Sequence, residues 1–505
     1  ERVQGDLTSG TRLIDRALER LHGELDDDAL PAAILDRLRL DAFAPSVMTL
    51  HRPPPSASLA SLAERSHPAW QRIKFDEMLA QQLAMKKARA ARDAKSAPRL
   101  LTKNKLTDAL KKSLPFALTA AQQRAWREIA ADLAAPHPMQ RLLQGDVGSG
   151  KTIVSALAAA QAIDNGYQAV IMAPTEILAE QHYRKLSALL VPLGVTVTWL
   201  TGSLKAKEKR AAIEAIGRGE TQLAIGTHAL FQDGVDFARL GLTVIDEQHR
   251  FGVGQRLALR EKGERGIDVK HEPHQLMMSA TPIPRTLSMS YFADLDVSVI
   301  DELPPGRTPI QTKLLAESRR DEVLARIRAA CQEGAQAYWV CPLIEESETL
   351  QLKTAVETFD ALTAALPDVK VGLVHGRMKA AEKNAVMAKF LANEVQLLVA
   401  TTVIEVGVDV ANASLMVIEH AERMGLAQLH QLRGRVGRGA RHSTCILLYQ
   451  SPLGELARAR LKVIYESTDG FEIAREDLRL RGPGEHLGAR QSGAPLLRFA
   501  DIERD

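Results

Sequence analysis

Short apolar runs alternate with amphipathic stretches along most of the chain from about Leu101 onward. A segment rich in proline and glycine, residues 301–307, divides this pattern into two sets and predicts a linker. The alternation predicts two tandem α/β domains, each with a parallel sheet and helices on both faces. The predicted strands are Gln168–Ala173, Val195–Leu200, Gln222–Gly226, Leu242–Asp246 and Gln275–Ser279 in the first domain, and Gln336–Val340, Val369–Val374, Gln396–Ala400, Leu415–Glu419 and Thr444–Tyr449 in the second.

Helical patterns occupy both ends of the chain and separate some of the strands. Apolar spacing predicts helices within residues 1–50 and from Trp70 to about Ala97, interrupted by three consecutive prolines at 53–55. In the first α/β domain, helices are predicted at Glu176–Leu190 and Lys205–Ile216. We therefore predict a helical linker region at 1–100, α/β domains at 101–307 and 308–455, and a helical segment at 456–505.

Bulk composition excludes few classes of protein. The 505 residues are too many for one compact core, and 45% hydrophobic with 25% charged residues is typical of a soluble protein. No apolar run approaches the roughly twenty residues that span a bilayer. Three cysteines without C-x-x-C spacing fit neither a zinc site nor a disulfide framework, so we expect a reducing cytosol. The start at Glu1 rather than methionine predicts a fragment.

Local charge is more informative than the net charge of +3. Between Lys86 and Lys112 lie ten basic residues against only Asp93 and Asp108. Such a run fits a solvated helix face or a nucleic-acid contact, and the sequence leaves both readings open.

A glycine-rich loop between a short apolar strand and a helix carries the strongest chemical signal. Its spacing is that of the phosphate loop, in which small residues let backbone N–H groups turn toward an anion at a helix N-terminus. Lys151 has the reach for the outer phosphates, and the Thr152 hydroxyl suits Mg²⁺. The sequence therefore predicts a nucleoside triphosphate site formed by Gly145, Asp146, Val147, Gly148, Ser149, Gly150, Lys151 and Thr152.

Two further features complete a hydrolytic site. Asp246 and Glu247 end an apolar strand, where phosphate-loop enzymes hold their metal and orient the attacking water. Asp246 is predicted to hold Mg²⁺ and Glu247 to deprotonate water. In the second domain, Arg435 and Arg438 lie in a glycine-rich loop, and arginine from an opposing domain stabilises phosphoryl transfer.

The ordered set of motifs resembles superfamily 2 helicases, and in detail the RecG-type branch-migration DNA helicases. The resemblance covers about Leu101 to Gly493. It implies that both α/β domains are RecA-like and that a helical translocation-motif segment follows them. Beyond the phosphate loop, the matching segments are 173–182, 226–230, 246–252, 279–286, 374–378, 401–409 and 428–438.

The resemblance also implies roles for individual residues. Gln122 would read adenine, Thr175 and Thr227 would touch the DNA backbone, and Arg438 would be the arginine finger with Arg435 beside it. Gly407 and Asp409 would lie where the second domain senses both nucleotide and DNA. The remaining residues implied in DNA binding or coupling are Gln248, His249, Ser279, Thr281, Thr402, Gln431, and, in the translocation motif, Arg475, Glu476, Arg479, Arg481 and Gln491. The charged residues of this last motif also fit an intramolecular salt-bridge network, which could itself be the coupling device.

The function implied is an ATP- and Mg²⁺-dependent translocase on double-stranded DNA that reverses stalled forks and migrates Holliday junctions. Its expected partners are branched DNA and single-stranded DNA-binding protein, with no membrane. A monomer in the bacterial cytoplasm, associated with the nucleoid, is expected. The chain lacks the N-terminal oligonucleotide-binding wedge of that family and stops soon after the translocation motif, which puts fork specificity in question.

Three alternatives remain. A transcription–repair coupling factor has a similar motor, but no polymerase-binding module is recognisable here. A non-catalytic, ATP-gated DNA clamp would show no multiple-turnover phosphate release. An RNA helicase would be stimulated by RNA duplex rather than by forked DNA.

Overall fold

The computed structural model describes residues 18, 28–247, 271–280, 295–304, 309–341, 348–401, 410–437, 439, 441–481 and 497–500. The chain forms two compact units. The smaller comprises residues 1–90, 289–293 and 493–505, and the larger comprises 91–288 and 294–492. In the described parts of the chain, no helix combines the length and apolarity that crossing a bilayer would need.

The smaller unit is helical and is organised around one buried arginine. Arg72, 0% exposed, donates to both carboxylate oxygens of Asp28, to Asp76 and to the Asp41 carbonyl. Burial tends to lower the pKa of Arg72, but these carboxylates raise it overall. The helices before and around it are α1 (Ala32–Leu38), α2 (Phe43–His51), α3 (Leu59–Ala63) and α4 (Pro68–Asp93).

The first sheet of the larger unit has seven parallel strands in the order β3-β4-β2-β5-β6-β1-β7. Strands β2, β4, β5 and β6 are buried along their whole length, which explains their unbroken apolar sequences. The elements are α5 (Leu106–Ser113), α6 (Ala120–Leu133), β1 (Gln140–Gly145), α7 (Lys151–Asp164), β2 (Gln168–Met172), α8 (Glu176–Leu190), β3 (Val197–Leu200), α9 (Ala206–Gly217), β4 (Leu223–Gly226), β5 (Leu240–Ile245), β6 (His274–Ser279) and β7 (Asp296–Ile300).

The second sheet has six parallel strands in the order β10-β11-β9-β12-β13-β8. Two helices, α14 and α15, follow it and pack against its last helix, α13. The elements are β8 (Gln311–Ala316), α10 (Arg320–Gln332), β9 (Gln336–Val340), α11 (Glu348–Ala365), β10 (Val371–Val374), α12 (Ala380–Leu391), β11 (Leu397–Ala400), β12 (Ala413–Ile418), α13 (Leu426–Arg433), β13 (Thr444–Tyr449), α14 (Glu455–Glu466) and α15 (Gly470–Arg481).

The predicted strands agree with the observed ones to within two residues at each end, and β9 and β13 match at both ends. Two strands were not predicted: β7, at one edge of the first sheet, and β8, at one edge of the second. Both are only partly buried, so polar residues interrupt their apolar pattern. The predicted linker at 301–307 lies between these two strands, and its residues 305–307 lie outside the described part of the chain.

Candidate active site

The glycine-rich loop joins the end of β1 to the start of α7 and depends on glycine at several points. Gly148 and Gly150 have φ angles of +82° and +90°, in the left-handed region that side chains rarely adopt. A Cβ on Gly150 would lie 2.2 Å from Nε2 of Gln122, and one on Gly145 would lie 2.5 Å from Oγ of Ser149. The structure therefore leaves no room for a side chain at Gly145 or Gly150, which keeps the loop backbone open to an anion.

Lys151 is the first residue of α7 and is folded back on the loop. Its Nζ donates to the carbonyl oxygens of Gly145, at 2.6 Å, and Asp146, at 3.0 Å. The Oγ of Ser149 is buried and makes no hydrogen bond within the described residues. An ammonium group, a buried hydroxyl and a glycine cradle at a helix N-terminus fit a phosphate group.

Gln122, predicted to read adenine, lies 1% exposed at the start of α6. Its Oε1 accepts from the backbone N–H of Thr119, completing a capping box, and its Nε2 donates to the Ser149 carbonyl at 2.8 Å. The side chain thus links the start of α6 to the phosphate loop and still has one N–H donor and one oxygen lone pair beyond these two bonds.

The acidic end of β5 is held by a histidine that the sequence analysis did not assign. Asp246 follows β5 and accepts from Nε2 of His182, on α8, at 2.7 Å. Burial tends to raise the pKa of Asp246, but the His182 hydrogen bond and the charge of Lys151 lower it overall, which keeps the carboxylate ionised. Glu247 has a left-handed φ of +51°, and its N–H donates to Oδ1 of Asp246.

A divalent cation at this site would depend on few protein ligands. Among the described residues, no group of three or more His, Cys, Asp or Glu side chains is placed to hold a metal. Mg²⁺ commonly binds through one or two protein oxygens, completed by phosphate and water. Asp246 and the Thr152 hydroxyl are oxygen donors of the kind that such a site uses.

The second α/β domain packs directly on the phosphate loop. A Cβ on Gly434, at the end of α13, would lie 2.8 Å from Cβ of Val147. Arg435, the next residue, and Gln431, one turn earlier, are 6% and 7% exposed. Arg435 therefore directly follows, in the sequence, the residue that packs against the phosphate loop.

A polar junction beside this contact was not predicted. Oδ1 of Asp146 lies 3.0 Å from Nε2 of His430, on α13, and Oδ2 accepts at 3.4 Å from the N–H of Gly470, the first residue of α15. Burial tends to raise the pKa of Asp146, but these bonds and the charge of Lys151 lower it. Since 284 residues separate Asp146 from His430, no local pattern could have revealed the pair.

Several residues predicted to bind DNA lie at the carboxyl ends of the first sheet's strands, the usual ligand edge of a parallel sheet. Thr175 follows β2 and caps α8 through its side chain. Thr227 follows β4 and is 2% exposed, and Ser279 ends β6. On α15, Arg475 and Arg479 are exposed, and Nη1 of Arg479 lies 3.7 Å from Glu476.

The remaining predicted site residues lie outside the described part of the chain, so their roles stay predictions. For Arg481 the backbone ends α15, but the side chain is not described. The others are Gln248, His249, Thr281, Thr402, Gly407, Asp409, Arg438 and Gln491.

Family models match three consecutive parts of the chain. The DEAD/DEAH box helicase model matches residues 119–290, and the helicase conserved C-terminal domain matches 320–440. A third model, the C-terminal part of domain 3 of the ATP-dependent DNA helicase RecG, matches 467–505.

Curated relatives and solved structures agree with these models. The ATP-dependent DNA helicases RecG of Haemophilus influenzae and Escherichia coli K12 are each 53% identical over 495 residues, which cover 95% and 98% of this chain and 71% of each relative. A structure of RecG bound to a three-way DNA junction matches with a TM-score of 0.75 and 41% identity, covering 95% of this chain and 61% of that one. Mycobacterium smegmatis helicase Lhr matches at 18% identity and a TM-score of 0.51, a likeness of fold alone.

These findings confirm the predicted resemblance, the pair of RecA-like domains and the enzyme class, an ATP-dependent DNA helicase. This chain belongs to the RecG family of ATP-dependent DNA helicases.

Proposed function

We propose that this chain hydrolyses ATP with Mg²⁺ to move along double-stranded DNA and thereby remodels branched DNA, reversing stalled forks and migrating Holliday junctions. The proposed working parts are a helical linker region at 1–100, motor domains at 101–307 and 308–455, and a translocation segment at 456–505. We further propose that the protein acts as a monomer near the nucleoid, with single-stranded DNA-binding protein as a partner.

In the first motor domain, the proposed roles follow from the loop and the acidic strand end. Backbone N–H groups of the loop and Lys151 bind the phosphates, and Gln122 lies beside them for the base. Asp246 and Thr152 hold the cation, which when bound withdraws charge from the phosphates. Glu247 orients and deprotonates the attacking water. His182 keeps Asp246 in position through its 2.7 Å hydrogen bond.

The observation that carries the proposal is the close approach of the second domain to the phosphate loop, where Gly434 meets Val147. Arg435, adjacent to that contact, supplies positive charge to the departing phosphate, and we assign the arginine finger to Arg438. Gly407 and Asp409 are proposed to lie where the second domain senses both nucleotide and DNA. Because both domains contribute residues, hydrolysis and domain movement are linked.

On the DNA side, backbone contacts would make movement independent of sequence and sensitive to salt. Thr175, Thr227 and Gln431 are proposed to contact or respond to DNA, with Ser279 transmitting the nucleotide state. A RecG structure is bound to a three-way DNA junction. By family membership we extend branched DNA as a substrate class to this chain. The exposed Arg475 and Arg479 of α15 are proposed to move the DNA duplex.

The decisive experiment compares fork regression with ATP hydrolysis on a model fork, for Arg479→Ala and for Arg210→Ala as its control. Each arginine is exposed and has an acidic partner on its own helix, but Arg210 lies on α9. We expect Arg479→Ala to keep most of its DNA-stimulated ATP hydrolysis and to lose regression, whereas Arg210→Ala retains both. A parallel fall of hydrolysis and regression in Arg479→Ala would refute the role assigned to this helix.

A further inference from the structure

The side chain of Asp146 joins three elements that are far apart in sequence. Asp146 lies in the phosphate loop, yet its carboxylate faces His430 on α13 and the amide of Gly470 at the start of α15. These side chains are largely buried, with Asp146 21% and His430 9% exposed. A hydrogen bond between partly desolvated groups is stronger than one in water, so this junction can transmit force between the domains.

The partners of His430 determine its tautomer. Nη2 of Arg433 lies 3.0 Å from Nδ1 of His430. A guanidinium only donates, so Nδ1 accepts and Nε2 carries the proton that it donates to Asp146. Arg433, 2% exposed, also donates to the carbonyls of Ile464, at the end of α14, and Ser467. The imidazole is thereby fixed to the turn between α14 and α15.

Glycine at position 470 makes the contact rigid. A Cβ there would lie 1.9 Å from Oδ1 of Asp146 and 2.7 Å from Nε2 of His430. The first turn of α15 therefore packs its backbone directly on the hydrogen-bonded pair. The carboxylate also faces the positive N-terminal end of a twelve-residue helix, which favours its charged form. Movement of either partner must displace the start of α15.

The other end of the junction is connected to the phosphate site by the backbone. Lys151 donates to the carbonyl of Asp146 at 3.0 Å. A phosphate that draws the Lys151 ammonium toward itself removes this restraint on the peptide that carries the Asp146 carboxylate. Occupation of the loop would thus change the position of the carboxylate relative to His430 and Gly470.

We infer that His430 is a positioning residue that transmits the state of the phosphate loop, through Asp146, to the first turn of α15. The inference rests on the proposed function and adds a path to it that does not pass through the hydrolytic arginines. The helix that carries Arg475 and Arg479 would respond to nucleotide binding itself, before any bond is broken.

The test is hydrogen–deuterium exchange of the full chain with and without AMP-PNP and Mg²⁺, followed in peptides that cover residues 145–152 and 470–481. In the natural sequence we expect nucleotide to alter exchange in both peptides. In His430→Ala the loop peptide should still respond, while the α15 peptide loses most of its response. His430→Gln, which keeps a donor near the position of Nε2, should recover it. His442→Ala, an exposed histidine of the same domain, is the matched control and should behave like the natural sequence.

A second variant addresses the helix side. Gly470→Ala should also uncouple the α15 peptide, while exchange in the strands of both sheets stays unchanged, which shows that the fold survives. On forks, both variants should consume more ATP per regressed fork than the natural sequence, because hydrolysis continues while its coupling to α15 is lost.

Two results separate the possible failures. An unchanged nucleotide response of the α15 peptide in both His430→Ala and Gly470→Ala would overturn the inference and leave the proposed ATP site intact. A loop peptide that ignores nucleotide in the natural sequence would instead refute the ATP site, and the inference with it.

Discussion

The two sheets share one strand order apart from β7, an extra edge strand of the first sheet, and the same places in them carry different chemistry. Asp246 follows β5 and its N–H donates to the Met172 carbonyl, while Glu419 follows β12 and its N–H donates to Val340 in the same relation. The helices after the corresponding strands β1 and β8 begin with Lys151 and Arg320. A cation and a carboxylate therefore occupy matching positions in both domains.

What differs is how the cation is held in each domain. Nη1 of Arg320 lies 2.5 Å from Oε1 of Glu419, and its guanidinium stacks 4.9 Å from the centre of the Trp339 ring. In the first domain, a glycine loop precedes Lys151, and its ammonium donates to the backbone carbonyls of Gly145 and Asp146. In the second domain the cation is held by an ion pair with Glu419, whereas in the first it lies behind a glycine-rich loop and donates to that loop's carbonyls. The loop before the cation, rather than the sheet, therefore distinguishes the two domains.

The largest effect should come from removing the Lys151 ammonium group. Lys151→Ala is expected to lower DNA-stimulated ATP hydrolysis by at least about 100-fold, because the outer phosphates lose their principal positive charge. The measurement is steady-state phosphate release with a saturating fork. Arg320→Ala, its counterpart in the second domain, should keep most of that hydrolysis once the protein is confirmed to be folded. Undiminished phosphate release by Lys151→Ala would show that Lys151 does not supply this charge.

Arg320→Ala should instead weaken the second domain by about 2 kcal/mol, because it leaves the nearly buried Glu419 carboxylate without its cation. The expected loss of stability is smaller than for a fully buried ion pair, because Arg320 is 30% exposed. Urea unfolding of Arg320→Ala, Glu419→Gln and the double variant measures the contribution of the ion pair to the free energy of unfolding. The double variant should be more stable than Arg320→Ala. If the natural sequence and all three variants had equal free energies of unfolding, the ion pair would contribute nothing to stability.

Acid should weaken the first domain selectively. His274, at the start of β6, is buried, accepts from the Met139 N–H and lies 2.7 Å from the Pro98 carbonyl. Burial lowers its pKa from 6.5 to about 4. Between these values the unfolded chain binds a proton that the folded chain does not, so stability falls as pH falls, by about 2 kcal/mol from pH 7 to pH 5.

The matching strand of the second sheet, β13, begins with Thr444, which cannot titrate in this range. Hydrogen exchange of β6 and β13 peptides at the two pH values measures the difference. His274→Gln should reduce the pH dependence of β6. Equal acid loosening of both strands would show that His274 is not its source.

The smallest effect concerns how Asp246 is held. His182→Ala should lower ATP turnover about tenfold and raise the Mg²⁺ concentration needed for half-maximal rate, because the carboxylate loses its orienting partner. His182→Gln, which keeps a donor, should restore much of both. A lower turnover with unchanged Mg²⁺ dependence would mean that His182 supports the fold rather than the cation site.

The strands and the phosphate loop could be predicted because their signals are local. A buried parallel strand needs an unbroken apolar run, as in β5, and a phosphate loop needs glycines at set distances from Lys151. Two of the four edge strands, β7 and β8, escaped prediction. The partly exposed β7 and β8 contain polar residues such as Ser298 and Lys313, so their apolar pattern is interrupted.

The sequence by itself determined that the chain has two α/β domains, that only one of them carries a glycine-rich phosphate loop, and which residues could serve the phosphates. Tertiary structure alone decided the partners: His182 for Asp246, His430 and Gly470 for Asp146, and Glu419 for Arg320. The physical reason is range. Turn geometry and apolar periodicity act between near neighbours in the chain, whereas hydrogen bonds and ion pairs depend on distances in space that only the packed domains set.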